Sequence, residues 1–379
     1  MKVTIVGGGP AGLYFAILMK KYDSSHDITI YERNGPDDTF GWGVVFSGKT
    51  LANLRDADPE SHAEITREFQ AWDNVDVVKN ATKISIHGNS FSGISRLRLL
   101  KILQHRATEL GIPILFRQEV QDFEALRKST DLLIGADGVN SGLRQFYSKY
   151  FEPNLDVRAH RYIWYGTHRL FHGLTLTFRK SDAGVFAAHS YKFNRDTSTF
   201  IIECDPGTWQ RAGFQSMSDE ETREYLHQVF LPDLDEEPLL SNNSKWINFV
   251  LVRNARWSFE NVALLGDALH TAHFSIGSGT KLAMEDAIEM SSCFQQQIKV
   301  EDALQEFERR RRPVIENYQL AAGESMVWFE NAAHYIDLPP IELAHSVMTR
   351  SGRVSLDDLK TRDPEFVREL EVSRSQIRS

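Results

Sequence analysis

The chain has 379 residues and a formal net charge of −9 at pH 7. This length suits about two domains, at roughly 100 to 200 residues each, and the acidic balance argues against a protein that binds nucleic acid or an anionic membrane by charge. The two cysteines, Cys204 and Cys293, are too few for a disulfide framework and fit a reducing cytosol. No stretch approaches the ~20 apolar residues of a membrane span, so we expect a cytoplasmic protein.

The N-terminal residues have the pattern of a strand, a glycine-rich turn and a helix. KVTIV is short and apolar, GGGPAG follows it, and LYFAILMKK has the apolar face of a helix. The spacing of Gly7, Gly9 and Gly12 allows a tight turn and the close approach of main chain to a pyrophosphate. The helix that starts near Pro10 and Ala11 presents its N-terminus to that anion. This arrangement predicts a dinucleotide site.

A second strand, ITIYERN, ends in Glu32 and Arg33. Glu32 can accept hydrogen bonds from ribose hydroxyls, and its charge opposes a 2′-phosphate. The motif therefore favours FAD or NAD over NADP, without deciding between the first two. A glycine-rich turn in an unrelated α/β domain is the alternative.

Two later segments, DLLIGADGVNSGLR and NVALLGDALHTAHFSIGSGT, repeat the theme of an apolar strand that ends in glycine and aspartate. Asp137 and Asp267 are thereby placed at carboxyl ends of strands, where open α/β sheets bind ligands. The glycines beside them let the main chain approach a cofactor closely, and we take as candidates Gly138, Gly266, Gly277 and Gly279.

The segment GWGVVFSG cannot lie inside a helix, because each glycine there costs about 1 kcal/mol relative to alanine. Gly41 and Gly43 instead suggest a mobile apolar loop, with Val44, Val45 and Phe46 as candidates for a dry wall beside a reactive group. A buried turn in which the intervening tryptophan simply packs is the alternative.

The chain resembles the single-component FAD-dependent aromatic hydroxylases. Three motifs carry this resemblance by their order and spacing: the dinucleotide turn, ADGVNSGLR and LLGDALH. Further stretches, among them DTFGWGVVFS, YIWYGT and HFSIGSGT, are most similar to the salicylyl-CoA 5-hydroxylases, the monooxygenase part of the anthraniloyl-CoA monooxygenases and the hydroxylase of tryptophan derivatives in violacein biosynthesis. The two-part anthraniloyl-CoA enzymes continue into a flavin-reductase-like barrel that reduces the ring, whereas this sequence stops at Ser379. We therefore expect hydroxylation without ring reduction.

The resemblance implies an α/β fold, with an FAD-binding Rossmann-like domain of the para-hydroxybenzoate hydroxylase type, an interleaved antiparallel β-sheet substrate domain and C-terminal helices. The alternating β-branched and aromatic residues of the middle of the chain also favour an antiparallel sheet. We expect an FAD-binding domain of residues 1–70, 94–150 and 255–325, a substrate domain of residues 71–93 and 151–254, and a C-terminal helical segment and tail of residues 326–379.

The resemblance also implies roles for particular residues. Arg96 would open a helix and contact FAD, although an ordinary solvated arginine is the alternative; Asp137 would lie near the pyrophosphate and Asp267 would hold the ribityl chain. The GWGVVFSG loop would lie along the flavin ring. One departure is Phe274, where many family members have proline, which leaves the contact over the ring open.

The implied reaction uses FAD, with NADH or NADPH as electron donor and O₂, and passes through a C4a-hydroperoxyflavin that attacks an electron-rich ring. The expected substrate is an aryl-CoA, most of all salicylyl-CoA, giving 2,5-dihydroxybenzoyl (gentisyl)-CoA; anthraniloyl-CoA, a free aromatic acid or a tryptophan-derived indole is the alternative. Val45 belongs to the expected dry wall. A polar contact to the substrate is expected from His189, Tyr191 or Tyr165, against the commoner case of core residues with satisfied hydrogen bonds.

Other functions have weaker support in the sequence. His270 and His273 have no recognisable third ligand, so we expect no metal. A flavin-dependent halogenase would be expected to have a Trp-x-Trp-x-Ile-Pro segment, and a two-site reductase a second GxGxxG motif; the sequence has neither. A nucleotide sensor without catalysis is distinguished only by a test of turnover. The basic run Arg309–Arg312 could meet CoA phosphates, but a solvated helix face is the commoner case. We expect a monomer or a homodimer.

Overall fold

The computed structural model describes residues 1–277, 279–297 and 299–378. Its strands are β1 (Lys2–Val6), β2 (Asp27–Glu32), β3 (Gly43–Ser47), β4 (Gln70–Trp72), β5 (Val75–Lys79), β6 (Thr82–Ile86), β7 (Phe91–Ser95), β8 (Ile114–Phe116), β9 (Leu132–Gly135), β10 (Pro153–Thr167), β11 (Leu174–Ser181), β12 (Gly184–Lys192), β13 (Ser198–Cys204), β14 (Leu239–Leu240), β15 (Ile247–Asn254), β16 (Ser258–Phe259) and β17 (Val262–Leu264).

The α-helices are α1 (Pro10–Tyr22), α2 (Gly48–Ala57), α3 (Pro59–Arg67), α4 (Arg96–Glu109), α5 (Phe123–Lys128), α6 (Gly142–Phe146), α7 (Ser148–Phe151), α8 (Pro206–Ala212), α9 (Asp219–Val229), α10 (Leu231–Leu234), α11 (Gly279–Gln296), α12 (Val300–Glu330), α13 (Ala332–Tyr335), α14 (Pro340–Thr349), α15 (Leu356–Arg362) and α16 (Pro364–Arg378). Among the described residues, none of these helices has the length and apolar character that crossing a bilayer requires.

A six-stranded sheet forms the first layer, in the order β16-β17-β9-β1-β2-β8. β1 lies between β2 and β9 and pairs with both in parallel. Helix α1 connects β1 to β2, begins with Pro10 at its first position and ends with basic residues in its last turn, as helix termini favour. The predicted βαβ unit is confirmed.

The second layer is a larger sheet in the order β14-β10-β13-β12-β11-β5-β6, with β15 paired to β10. Its central strands β10, β13, β12 and β11 are antiparallel neighbours, and the hairpin β5–β6 extends the sheet through a parallel contact between β5 and β11. Strands β3, β7 and β4 form a separate three-stranded sheet, in the order β3-β7-β4. The predicted fold class, a Rossmann-like domain with an interleaved antiparallel sheet, is confirmed.

The C-terminal helices cover one face of the second sheet. One hydrophobic cluster joins that face to residues from α12 to α16, another joins its opposite face to α8, α9 and α10, and a third fills the first layer. The expected boundary between residues 325 and 326 lies inside α12, which continues without interruption to Glu330. Within the expected C-terminal segment, residues 364–378 form helix α16.

The GWGVVFSG segment joins the two layers. Gly41 has a φ of +76°, and a Cβ on it would lie 2.4 Å from the Trp164 ring. A Cβ on Gly166 would in turn lie 2.8 Å from the ring of Trp42. The amide of Gly43 donates to Thr199 Oγ1 at 3.1 Å. Gly41 and Gly166 are therefore required because the main chain of each lies directly against an aromatic ring of the other segment.

We predict that Gly41→Ala destabilises the protein by about 1–3 kcal/mol, because the new methyl group overlaps a packed ring in a backbone region that L-residues avoid. The measurement is the urea midpoint of unfolding. Gly48→Ala is the matched control, since a Cβ at this first residue of α2 meets no atom within 4 Å; its midpoint should equal or exceed that of the wild type. Equal midpoints for Gly41→Ala and wild type would contradict the packing argument.

Candidate active site

The three glycine-containing turns of the first layer touch one another at the carboxyl edge of the sheet. Gly7 has a φ of +109°, and a Cβ there would lie 2.2 Å from the carbonyl oxygen of Ala136. Gly266 has a φ of +60°, and its Cβ would lie 2.9 Å from Cβ of Ala11. Arg144 Nη1 donates to the carbonyl of Ala268 at 2.8 Å. The segments that the sequence separates by more than a hundred residues therefore form one site.

The turn before α1 leaves room for a ligand. Gly9 is the N-cap of α1 and has no side-chain capping bond, and a Cβ on it would meet no atom within 4 Å. Gly12, by contrast, needs to be glycine for the fold, since its Cβ would lie 2.2 Å from the carbonyl oxygen of Gly7. The free amides of the helix N-terminus face this open space, which suits a phosphate.

Glu32 lies beside the same turn. Its Oε2 accepts the amide of Gly8 at 2.7 Å, and its Oε1 accepts both the amide and Nδ2 of Asn34, at 2.7 and 2.8 Å. A carboxylate offers about four acceptor positions, so a position remains for a ribose hydroxyl. Arg33 is exposed and makes no hydrogen bond or ion pair to the described residues.

Asp137 presents an unsatisfied oxygen to the site. Its Oδ2 accepts the amide of Leu143 at 3.2 Å, while its buried Oδ1 has no hydrogen-bond partner within the described part of the chain. Burial raises the pKa of Asp137, and hydrogen bonds from Ser141 and nearby amides oppose the shift. Buried polar atoms normally have partners, so a missing donor such as a cofactor hydroxyl fits here. Gly138 follows with a φ of +84°.

Asp267 and Arg96 face each other across an open cleft. The side chain of Asp267 is exposed to solvent, yet the surrounding protein raises its pKa by desolvation, which the charges of Arg96 and His270 oppose. The same desolvation lowers the pKa of Arg96. The carboxylate of Asp267 is thus open to solvent while protein atoms surround it on most sides. This combination indicates a deep cleft rather than the outer surface. Tyr162 lies close enough to Asp267 to feel the charge of that carboxylate. Burial, and to a lesser extent this charge, raises the pKa of Tyr162 to about 12.

The apolar loop borders this cleft. Arg96 begins α4, its amide donates to the carbonyl of Trp42 at 2.8 Å, and its Nε donates to Thr39 Oγ1 at 3.2 Å. Val45 is partly exposed and lies 4.0 Å from the Cβ position of Gly277, which has a φ of +62°.

Of the three proposed wall residues, Val45 alone faces the cleft. Val44 and Phe46 point into the core of the first layer, because alternate residues of a strand face opposite ways. Gly279 begins α11, and a Cβ there would meet no atom within 4 Å. The proposed hinge motion of the loop stays a prediction.

The second sheet brings together two of the three predicted polar residues. His189 and Tyr191 lie on one face of β12, with the Tyr191 hydroxyl donating to the carbonyl of Gly43 at 2.8 Å and its ring stacked on Trp72. Tyr165 lies on the opposite face, since it pairs with Phe200, which pairs with Ser190 rather than with His189.

The hydroxyl of Tyr165 donates to Asp219 at 3.0 Å, under the layer of α8, α9 and α10. Tyr165 therefore does not join the other two residues, because a shift of one residue along a strand reverses the face.

His189 is held by a carboxylate that the sequence argument did not single out. Its Nε2 lies 2.5 Å from Oε1 of Glu203, which is 2% exposed. The signal was present in STFIIEC, an apolar strand whose penultimate residue is an acid, because buried acids require partners.

Phe274 and Arg350 complete this side of the cleft. The Phe274 ring lies 5.3 Å from that of His189 and 4.7 Å from that of Tyr162, so it fills the place where the family often has proline. Arg350, which follows α14, donates to the carbonyl of Ser275 at 2.7 Å and to Ser325 Oγ at 2.8 Å. A residue near the C-terminus thereby fixes the loop after Asp267, and sequence spacing gave no sign of it.

The two histidines beside the second aspartate have structural partners. His270 Nε2 lies 2.7 Å from Asp286, which Arg311 also contacts at 2.7 Å. Burial lowers the pKa of His273 to about 3, so this side chain is neutral. Within residues 1–277, 279–297 and 299–378, no cluster of three metal-binding side chains occurs.

The basic run of α12 is also paired inside the chain. Arg309 and Arg310 contact Glu306, Arg311 contacts Asp286, and Arg312 contacts Glu308. Arg311 is buried rather than solvated. These pairs account for the run without a CoA phosphate.

Comparisons with known proteins agree with this geometry. Residues 1–321 match the family described as FAD binding domain. The chain is 39% identical to the salicyloyl-CoA 5-hydroxylase of Streptomyces sp, over 97% of this chain and 72% of that protein. It is 33% identical to the 3-hydroxy-4-methyl-anthranilyl-[aryl-carrier protein] 5-monooxygenase of Streptosporangium sibiricum, over 95% of this chain and 97% of that protein.

Solved structures show the same fold. The tetrameric form of 2-methyl-3-hydroxypyridine-5-carboxylic acid oxygenase superimposes with a TM-score of 0.74 at 20% identity, over 95% of this chain and 97% of that chain. The family match covers most of the chain, and the clustered turns, the open helix N-terminus and the unsatisfied Asp137 oxygen fit FAD. The chain therefore belongs to the FAD-binding-domain family and is an FAD-dependent aromatic monooxygenase.

Proposed function

We propose that this monooxygenase hydroxylates an aryl-CoA, converting salicylyl-CoA to 2,5-dihydroxybenzoyl-CoA with NADH or NADPH and O₂. The observation that carries the proposal is a buried histidine, His189, which a carboxylate holds and whose ring packs against Phe274 in the loop after Asp267. The likeness to a salicyloyl-CoA 5-hydroxylase over 97% of the chain supports the thioester. Anthraniloyl-CoA, a free aromatic acid or an indole is the alternative substrate.

We assign the FAD site to the residues around the clustered turns. Gly9 and the N-terminus of α1 would take the pyrophosphate, Glu32 a ribose hydroxyl and Asp267 the ribityl chain. The remaining contacts are assigned to Gly7, Pro10, Ala11, Gly12, Arg33, Gly41, Gly43, Arg96, Asp137, Gly138, Gly266, Gly277 and Gly279. Val44, which the sequence also suggested as a contact, has its side chain in the core instead.

Bound FAD supplies the redox chemistry and the activation of oxygen. The chain supplies a dry surface and a polar contact. Val45 and Phe274 exclude water from the ring side of the cleft, which protects reactive species from solvent. His189 offers Nδ1 to the hydroxyl of the aromatic ring, since its Nε2 is occupied by Glu203. Tyr191 has its hydroxyl committed to Gly43 and helps to shape the pocket.

We further propose that the protein works in the cytoplasm as a monomer or homodimer. Both cysteines are buried and unpaired, which suits a reducing compartment.

The substrate proposal predicts that salicylyl-CoA accelerates NADH or NADPH oxidation by the FAD-loaded protein and gains one oxygen. Both donors are compared, product is followed by mass, and free salicylate is the parallel substrate. Acceleration and hydroxylation with the free acid but not with the thioester would contradict the proposal.

Asp267→Asn should weaken FAD binding about 10- to 150-fold, since a hydrogen bond to a charged group contributes about 1.5–3 kcal/mol. Fluorescence titration of the apoprotein with FAD measures this. Asp131→Asn is the control, because Asp131 lies at the opposite end of β9 and accepts the amide of Lys2 at 2.7 Å. Unchanged affinity of Asp267→Asn would remove the assignment.

Gly9→Ala should leave the unfolding midpoint of the apoprotein unchanged, because its Cβ meets no protein atom within 4 Å. The same methyl group occupies the space assigned to the pyrophosphate, so the Kd for FAD should rise at least about tenfold, or 1.4 kcal/mol. Wild-type affinity in this variant would place the phosphates elsewhere.

A further inference from the structure

The carboxylate of Glu203 joins two histidines on the cleft-facing side of the second sheet. Oε1 lies 2.5 Å from His189 Nε2, and Oε2 lies 3.5 Å from His160 Nε2. Glu203 lies on β13, which pairs on one side with β12, the strand of His189, and on the other with β10, the strand of His160. Both oxygens are therefore held, and the carboxylate cannot turn away from His189 without losing His160.

Glu203 remains ionised despite its burial. Burial by itself raises the pKa of this carboxyl, but the hydrogen bond from His189, together with the neighbouring His160 and His273, lowers it below its ordinary value. Arg350 also faces Glu203. An ionised carboxylate accepts hydrogen bonds and cannot donate, so Nε2 of His189 must carry the proton.

The tautomer of His189 follows from this contact. With Nε2 protonated, neutral His189 has its lone pair on Nδ1. Nδ1 has no hydrogen bond to any residue in the described ranges, and the ring lies between Phe274 and Phe329, at centroid distances of 5.3 and 4.6 Å. The one nitrogen of the His189 ring that can still accept a proton is thus Nδ1, and the ring lies among the aromatic side chains of Phe274 and Phe329.

A small cavity lies on the opposite side of the carboxylate. The cavity, bordered by Glu203 and His160, extends to the Arg158–Glu330 ion pair, whose Nη2 and Oε2 lie 2.6 Å apart. The centre of a water molecule can occupy ≈ 10 Å³ there, which is about the space that one water needs. Glu203 therefore lies between the ring of His189 and a small cavity next to His160.

We propose that Glu203 is a positioning residue that, together with His160, makes His189 the base for a ring hydroxyl of the substrate. The O–H bond of the substrate breaks, an N–H bond forms at Nδ1, and the resulting imidazolium is stabilised by the Glu203 carboxylate, which keeps its own charge. The phenolate that remains donates electrons to the ring more strongly, which assists electrophilic hydroxylation. This inference rests on the proposed contact between His189 and the substrate.

The inference also distinguishes substrate classes. A ring hydroxyl can give up its proton to His189, whereas a ring amine is far too weak an acid and can only donate a hydrogen bond. The arrangement therefore selects hydroxyaryl over aminoaryl substrates in the rate of hydroxylation, and the hydroxyaryl reaction alone depends on the charge of Glu203.

The test is a pH titration of salicylyl-CoA bound to the FAD-loaded protein without reductant, followed by phenolate absorbance. Glu203→Gln should raise the pKa of the bound phenol by about one unit or more. The reason is that the carboxylate that stabilises the His189 imidazolium is lost, so His189 takes the phenol proton less readily. His160→Gln should shift the phenol pKa in the same direction by less. Ser190→Ala is the control, since Ser190 lies next to His189 but faces the other way, and its buried hydroxyl has no hydrogen-bond partner in the described chain.

A second readout compares hydroxylation of salicylyl-CoA and anthraniloyl-CoA. Glu203→Gln should lower kcat for salicylyl-CoA at least about tenfold, or 1.4 kcal/mol, recover as the pH rises, and change kcat for the amine little. If Glu203→Gln does not hold FAD, His160→Gln decides the matter. Wild-type phenol pKa values in both variants would overturn the inference.

Failure of the substrate proposal would be recognised separately. Wild-type protein that hydroxylates another phenol is titrated with that phenol, and the same shifts are expected. Wild-type protein that hydroxylates ring amines and no phenol would overturn the inference itself.

Discussion

The contact of three turns at the carboxyl edge of the six-stranded sheet is the constraint on which the rest of the structure depends. Gly7 lies so close to Ala136, and Gly266 to Ala11, that a side chain at either glycine would overlap its neighbour. This closeness removes side chains from the edge and leaves main-chain groups there. Asp137 and Asp267 then extend beyond the turns as carboxyl groups at the edge of the cleft, where open α/β sheets bind ligands.

The second layer is positioned by contacts of the same kind. Gly41 and Gly166 bring main chain against the rings of Trp164 and Trp42, so the apolar loop is part of the interface between the layers. The loop therefore has two functions in one segment. Its glycines join the sheets, while the alternation of β3 turns Val45 toward the cleft and Val44 into the core.

Charge is distributed differently in the two halves of the site. On the nucleotide side, Arg96 and Asp267 face each other across open space and are available to a ligand. On the substrate side, Glu203 is already engaged by His189 and His160. The first half therefore leaves charged groups open to a ligand, whereas in the second half the buried carboxylate is already paired with two imidazoles.

The sequence by itself determined the βαβ unit, the two later aspartate turns and the antiparallel second sheet, because these depend on local periodicity and on glycine spacing. The enzyme class followed from the resemblance of these motifs to a known family. Only the tertiary structure decided which strand residues share a face. His189 and Tyr191 are two residues apart and stay together, while Tyr165 lies on the far side, since the pairing register of β10 with β13 is not encoded in either strand alone. Glu203 and Arg350 likewise join the site through long-range packing. Their partners lie on other strands and helices, and pattern along the chain cannot show which distant charges meet.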